Sequence, residues 1–132
     1  MELEKQVCSL DLAKKLKELG VKQESLFYHW QFVNEDTGRN IYAGISEWKR
    51  ERKINGAYWV NIASAFTVAE LGEWLPENIL DKGTIVYYKD GEQWYVETNP
   101  VSNVGLWEDT EANARAITLI YLIENKLVEV ER

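Results

Sequence analysis

The stretch TIVYYKDGEQWYVET, Thr84–Thr98, decides the fold class. Two runs rich in β-branched and aromatic residues flank Asp90-Gly91, a dipeptide suited to the positive φ angles of a two-residue hairpin turn. Counting outward from that turn pairs Lys89 with Glu92, Tyr87 with Trp94 and Ile85 with Val96 on one face. The other face carries Tyr88 opposite Gln93 and Val86 opposite Tyr95. Aromatic rings therefore stand on both sides of the ribbon. One side serves a core, and the second needs a cover: another element, a partner or a ligand.

Upstream, residues 26–33 alternate in the same way. Leu26, Tyr28, Trp30 and Phe32 point to one side, and Phe27, His29, Gln31 and Val33 to the other. A polar turn over Asn34–Asn40 leads to a returning strand at Ile41–Ile45. Ser46–Lys53 reads equally as a short helix or a charged edge strand. Asn55-Gly56 is a second turn signal, and Ala57–Ile62 follows it as a strand.

Three helices accompany these strands. Ser9 caps the first, whose stripe is Leu12, Ala13, Leu16 and Leu19 and whose stop is Gly20. Thr67 and Glu70 have capping-box spacing at the start of the second, with Phe66 and Leu71 placed as a hydrophobic staple. Pro76 ends it. The third spans about Thr110 to Asn125, with Ala112, Ala116, Leu119, Ile120, Ile123 and Leu127 as its main stripe. Ile117, Tyr121 and Leu122 widen that stripe, as expected of a central packing helix. The expectation is one α+β domain over residues 1–132. An antiparallel sheet of about four to five strands is packed by three helices in the order α-β-β-(β)-α-β-β-α.

Composition narrows the chemistry. The chain has six tryptophans, seven tyrosines and three phenylalanines but one histidine and one cysteine. That inventory excludes most structural zinc sites and supplies no disulfide, which points to a reducing, cytoplasmic setting. Cys8 and His29 make a nucleophilic pair in principle, since a helix start beside Cys8 lowers a thiol pKa. The simpler reading is a packed thiol and a strand-surface histidine. Glycines are scattered singly, without a phosphate-binding motif. Glu70 and Glu73 share a helix face, but capping explains Glu70 better. Glu108, Asp109 and Glu111 crowd a helix start as dipole partners rather than with calcium-loop spacing. No catalytic residue, cofactor or metal is expected.

The net charge of −7 weighs against nucleic acid, whose phosphates need neutralising cations. The basic patch Lys49, Arg50, Arg52 and Lys53 is the exception, and it reads first as a solvated loop or edge. Residues 1–7 are charged and lack the apolar run of a signal peptide, and no apolar run reaches membrane-spanning length. Among the tryptophans, Trp30 and Trp94 read as core. Trp48, Trp59, Trp74 and Trp107, with Tyr88 and Tyr95, are the candidate interaction surface. Trp59 falls beside Arg52 if Asn55-Gly56 closes a hairpin, an arrangement suited to a cation–π contact.

Three segments in order, SLDLAKKLKELGVKQESLFYHW (9–30), SAFTVAELGEWLPENI (64–79) and TEANARAITLIYLIENKLV (110–128), resemble a family of small proteins encoded by bacteriophages and bacterial prophages. The resemblance implies expression in a bacterial cytoplasm and an accessory role, and it carries no activity or site residue. The expected function is non-enzymatic protein–protein contact, with self-association as a homodimer included. The alternatives are a small-ligand binder or carboxylate hydrolase with a cleft near Trp74 and Trp107, using Glu70, Glu73 or Asp109, and nucleic-acid binding through residues 49–53.

Overall fold

The computed structural model describes residues 2–48, 50–75, 78–79, 83–90, 93–100, 108–126 and 128, with the strands after residue 78 given by backbone except at Gln93 and Trp94. The order is α1 (Leu3–Gln6), α2 (Leu10–Glu18), β1 (Phe27–Asn34), β2 (Asn40–Ser46), β3 (Arg52–Ile54) and β4 (Ala57–Ala65). Then come α3 (Val68–Trp74), β5 (Asn78–Ile79), β6 (Gly83–Asp90), β7 (Gln93–Pro100) and α4 (Glu111–Glu124). The α+β class stands and the element order matches roughly, with the short helix α1 and the strands β3 and β5 added to the expected order and seven strands in place of four to five. The strands divide between two antiparallel sheets, one ordered β2-β1-β4-β3 and one ordered β5-β6-β7.

Local signals set the element ends. Ser9 accepts the amide of Leu12 at the start of α2. Gly20 takes φ +91° at its end, and the Val21 amide folds back to the Leu16 carbonyl at 3.1 Å. Thr67 and Glu70 form the full capping box of α3, and Thr110 caps α4. Asn55 and Gly56 both adopt positive φ, closing the β3–β4 hairpin as a primed turn does. The ambiguous stretch around residues 46–53 resolves into an edge strand at Arg52–Ile54.

Two register expectations change. In the second sheet the ladder closes at Asp90↔Gln93 and runs through Tyr88↔Tyr95 to Gly83↔Pro100, so each β6 residue pairs two residues further along β7 than expected. Glycine suits either position of a two-residue loop, so the sequence fits both registers. The shift leaves each residue on its expected face, because the side-chain period is two. In β1 both faces are covered near the start of the strand. Tyr28, His29 and Trp30 are all buried, and the pairing with β4 slips between His29 and Trp30. Ile62 is the extra residue on β4, a bulge, while β1 keeps its own alternation and the segment at Cys8 covers His29 on the second face. Leu26, expected to share the apolar face, is exposed.

The main core lies between α2, α3, α4 and the Ala63 end of β4. It gathers Leu16, Phe66, Leu71, Ala116, Leu119 and Ile120, with Cys8 beneath them. Small residues on α4, Ala112, Ala114 and Ala116, are fully covered and let the helix approach its neighbours closely. The Trp74 ring meets Phe66 edge-on at 4.8 Å. Trp94 is half-buried, and its backbone bridges to Glu108.

Candidate functional site

The four-stranded sheet brings Phe32, Tyr42, Trp48 and Trp59 together. Residues directly opposite in an antiparallel ladder share a face. Trp30 pairs with Gly44, Phe32 with both Tyr42 and Trp59, and Trp59 with Arg52. These residues therefore make one surface across all four strands. Trp59 is its centre. Phe32 lies 4.9 Å from it, Tyr42 5.9 Å at 88°, and Trp48 6.3 Å at 81°. Such ring pairs contribute about 0.5–1.5 kcal/mol each beyond their buried area.

A cavity of about 260 Å³ opens here, bounded by Trp30, Tyr42, Gly44, Ser46, Trp48 and Trp59. A second cavity, of about 320 Å³, takes in Leu3, Leu10, His29, Ala43 and Ile45. The two share Trp30, Tyr42, Gly44 and Ile45, so both border strand β2. Alternation sends Ala43 and Ile45 to the opposite face from Tyr42 and Ser46. One cavity thus belongs mainly to each face of the same strand. Gly44 makes room for the Tyr42 ring, which lies against it: a β-carbon there would stand 3.1 Å from that ring.

Trp30 contributes a second feature. Its side chain is 1% exposed, and its indole Nε1–H has no hydrogen-bond partner among the described residues. A buried unmet donor is costly, about 1–3 kcal/mol, and here it belongs to a ring that borders both cavities. Trp48 is 40% exposed and Tyr42 61%, so the rim is open to contact.

The basic patch is largely engaged. The Arg52 guanidinium lies 4.1 Å over the Trp48 ring. It is beside Trp59 in register, as expected, but its cation–π contact goes to Trp48. Lys53 pairs with Glu35, and Arg50 is exposed. Lys49 and Trp107 lie outside the described residues, and so do the side chains of Tyr88 and Tyr95. The structure therefore brings together Trp48 and Trp59 of the candidate surface and sends Trp74 to the core. Phe32, Tyr42 and Gly44 went unremarked in the sequence. Once the β1–β2 register is known, Tyr42 falls opposite Phe32, and the cluster follows.

Cys8 and His29 do meet, though not as a reactive pair. His29 is buried rather than on the strand surface, and its Nε2 lies 2.8 Å from the Cys8 carbonyl oxygen. That oxygen can only accept, so Nε2 carries the proton. Burial lowers the His29 pKa, with the Cys8 carbonyl acting against it. Burial also pushes the Cys8 thiol up to about 11, against the lowering effect of backbone hydrogen bonds at Phe66 and Cys8. A thiol held neutral is a poor nucleophile.

Glu70 is occupied as a cap. Its Oε1 accepts the Thr67 amide and hydroxyl, and its Oε2 accepts the Leu26 amide. Glu73 is exposed. Glu111 pairs with Arg115 at 2.9 Å. Burial and the neighbouring Asp109 raise the Glu108 pKa. Among the described residues no His, Cys, Asp or Glu group has a metal-holding arrangement, and no helix is long and apolar enough to cross a membrane.

No protein-family model matches the chain, and no curated protein or solved structure shows significant similarity to it.

Proposed function

We propose that this protein is a non-catalytic accessory protein of phage or prophage origin that works by protein–protein contact. Its working surface is the aromatic face of the four-stranded sheet. The observation that carries the reading is the cluster of Phe32, Tyr42, Trp48 and Trp59 around an open cavity. Half-exposed tryptophan and tyrosine are the residues that most often anchor protein interfaces. The acidic chain and the engagement of Arg52 and Lys53 with Trp48 and Glu35 favour a protein over nucleic acid.

The test is capture from a bacterial lysate by the immobilised chain, compared with Trp48→Ala. Trp48 is partly exposed and outside the main core, so its loss leaves the fold intact. The expected result is specific retention by the parent chain that falls roughly tenfold or more in the variant, the scale of a hot-spot residue. Equal retention by both contradicts the proposal.

The unmet Trp30 donor favours one further reading, a small planar ligand with a hydrogen-bond acceptor held in the same cavity. Quenching of tryptophan emission by such a compound, abolished in Tyr42→Ala, would support it.

A further inference from the structure

The two edges of the four-stranded sheet differ in kind. Edge strand β3 is Arg52-Lys53-Ile54, a short run with two cations, the ordinary protection against unwanted pairing. Edge strand β2 is NIYAGIS, seven residues without a charge. Ile41 is 57% exposed on it and Tyr42 61%. Among the described residues nothing pairs with its outer side. Every second residue of an edge strand turns its N–H and C=O away from the sheet, so β2 offers a ready template.

The strand is also complementary to itself. In an antiparallel pairing of two copies centred on Gly44, Tyr42 falls opposite Ser46 of the second copy, and Ala43 opposite Ile45 of the second copy. Large thus meets small at these two pairs, glycine meets glycine at the centre, and Ile41 falls opposite Glu47 just beyond the strand. The cavities lie where these side chains arrive. The incoming Tyr42 stands beside Gly44, Ser46 and Trp48, which border the smaller cavity. The incoming Ile45 stands beside Ala43, which borders the larger one. Strand addition of this kind takes affinity from main-chain bonds and specificity from alternate side-chain pockets.

We propose that the chain pairs with a second copy of itself through β2, joining two four-stranded sheets into one across a two-fold axis at Gly44. The proposal rests on the reading of this face as a contact surface and names its occupant. An isologous contact closes on itself, so it yields a dimer and not a filament.

Sedimentation equilibrium tests it on the parent chain, Ala43→Lys on β2 and Ile54→Lys on β3, with circular dichroism confirming each fold. Both positions are exposed. The expected result is a dimer for the parent and Ile54→Lys, and association weakened roughly tenfold or more in Ala43→Lys. Gly44→Cys gives a second measurement that does not depend on the lysine variant, with the exposed Tyr42 ring yielding the few tenths of an ångström that the new β-carbon needs. Mild oxidation should link two copies at residue 44, because opposite Cα atoms in a ladder lie within about 4.5–5.5 Å. Cys8 is buried and does not compete. A parent chain that stays monomeric at all concentrations, or a dimer indifferent to Ala43→Lys and to Gly44→Cys, overturns self-pairing. A monomer that still loses lysate capture on Trp48→Ala overturns self-pairing alone and leaves the contact surface standing.

Discussion

At the scale of single residues, burial decides which groups keep chemical freedom. His29 donates through Nε2 to the Cys8 carbonyl and is shielded from water. Its folded pKa lies below its ordinary value of 6.5. The unfolded chain therefore binds the proton more readily. The stability that neutral His29 contributes is present above the unfolded pKa and is lost as pH falls through the folded one. Glu108 runs the other way, since its raised pKa makes ionisation unfavourable as pH rises through the carboxylate range. Urea unfolding of the parent and of His29→Gln isolates the histidine, because Glu108 is common to both. The parent should lose more stability than the variant between about pH 7.5 and pH 5. Parallel pH profiles would show that His29 does not titrate against the fold.

At the scale of elements, α3 shows how a seven-residue helix is held. The Glu70 carboxylate takes the Thr67 amide, the Thr67 hydroxyl and the Leu26 amide, which ties the helix start to the entry of β1. Glu70→Ala removes all three, and the expected loss is about 1–3 kcal/mol in thermal or denaturant unfolding. Thr67→Ala removes the hydroxyl's bonds with the Glu70 amide and carboxylate and should cost about 1 kcal/mol. A Glu70→Ala change no larger than that of Thr67→Ala would mean that the carboxylate's bonds to the Thr67 and Leu26 amides together add no more than the single bond from the Glu70 amide. This box was legible in the sequence because both partners lie three residues apart on one short segment. So were the Gly20 stop and the Asn55-Gly56 turn, each fixed by local backbone needs. The bulge at Ile62 was not legible. It arises from pairing two strands some thirty residues apart, and no local preference marks it. The burial of His29 has a separate cause: the segment at Cys8 covers the second face of β1, and the alternation of a strand carries no sign of a cover supplied from twenty-one residues upstream.

At the scale of the whole molecule, the fold separates aromatic residues by use. Phe66 and Trp74 close the helical core, Trp30 is sealed into the sheet, and Tyr42, Trp48 and Trp59 surround an open cavity beside an uncharged edge. The α+β class followed from turn signals and side-chain periods alone. The division into two sheets did not, because strand order is set by long-range pairing that neither signal encodes. Half of the candidate surface was legible for the same reason: Trp48 stood out by its charged neighbours, whereas Tyr42 joins only through register. The central claim is that the face around Trp59 is where this protein meets its partner, a second copy included. The most direct measurement is the set of tryptophan indole N–H resonances, assigned by substitution and followed as protein concentration rises or captured partner is added. The account predicts that the Trp30, Trp48 and Trp59 signals move together while Trp74 stays fixed. Binding that shifts Trp74 and leaves Trp48 and Trp59 unmoved would contradict it.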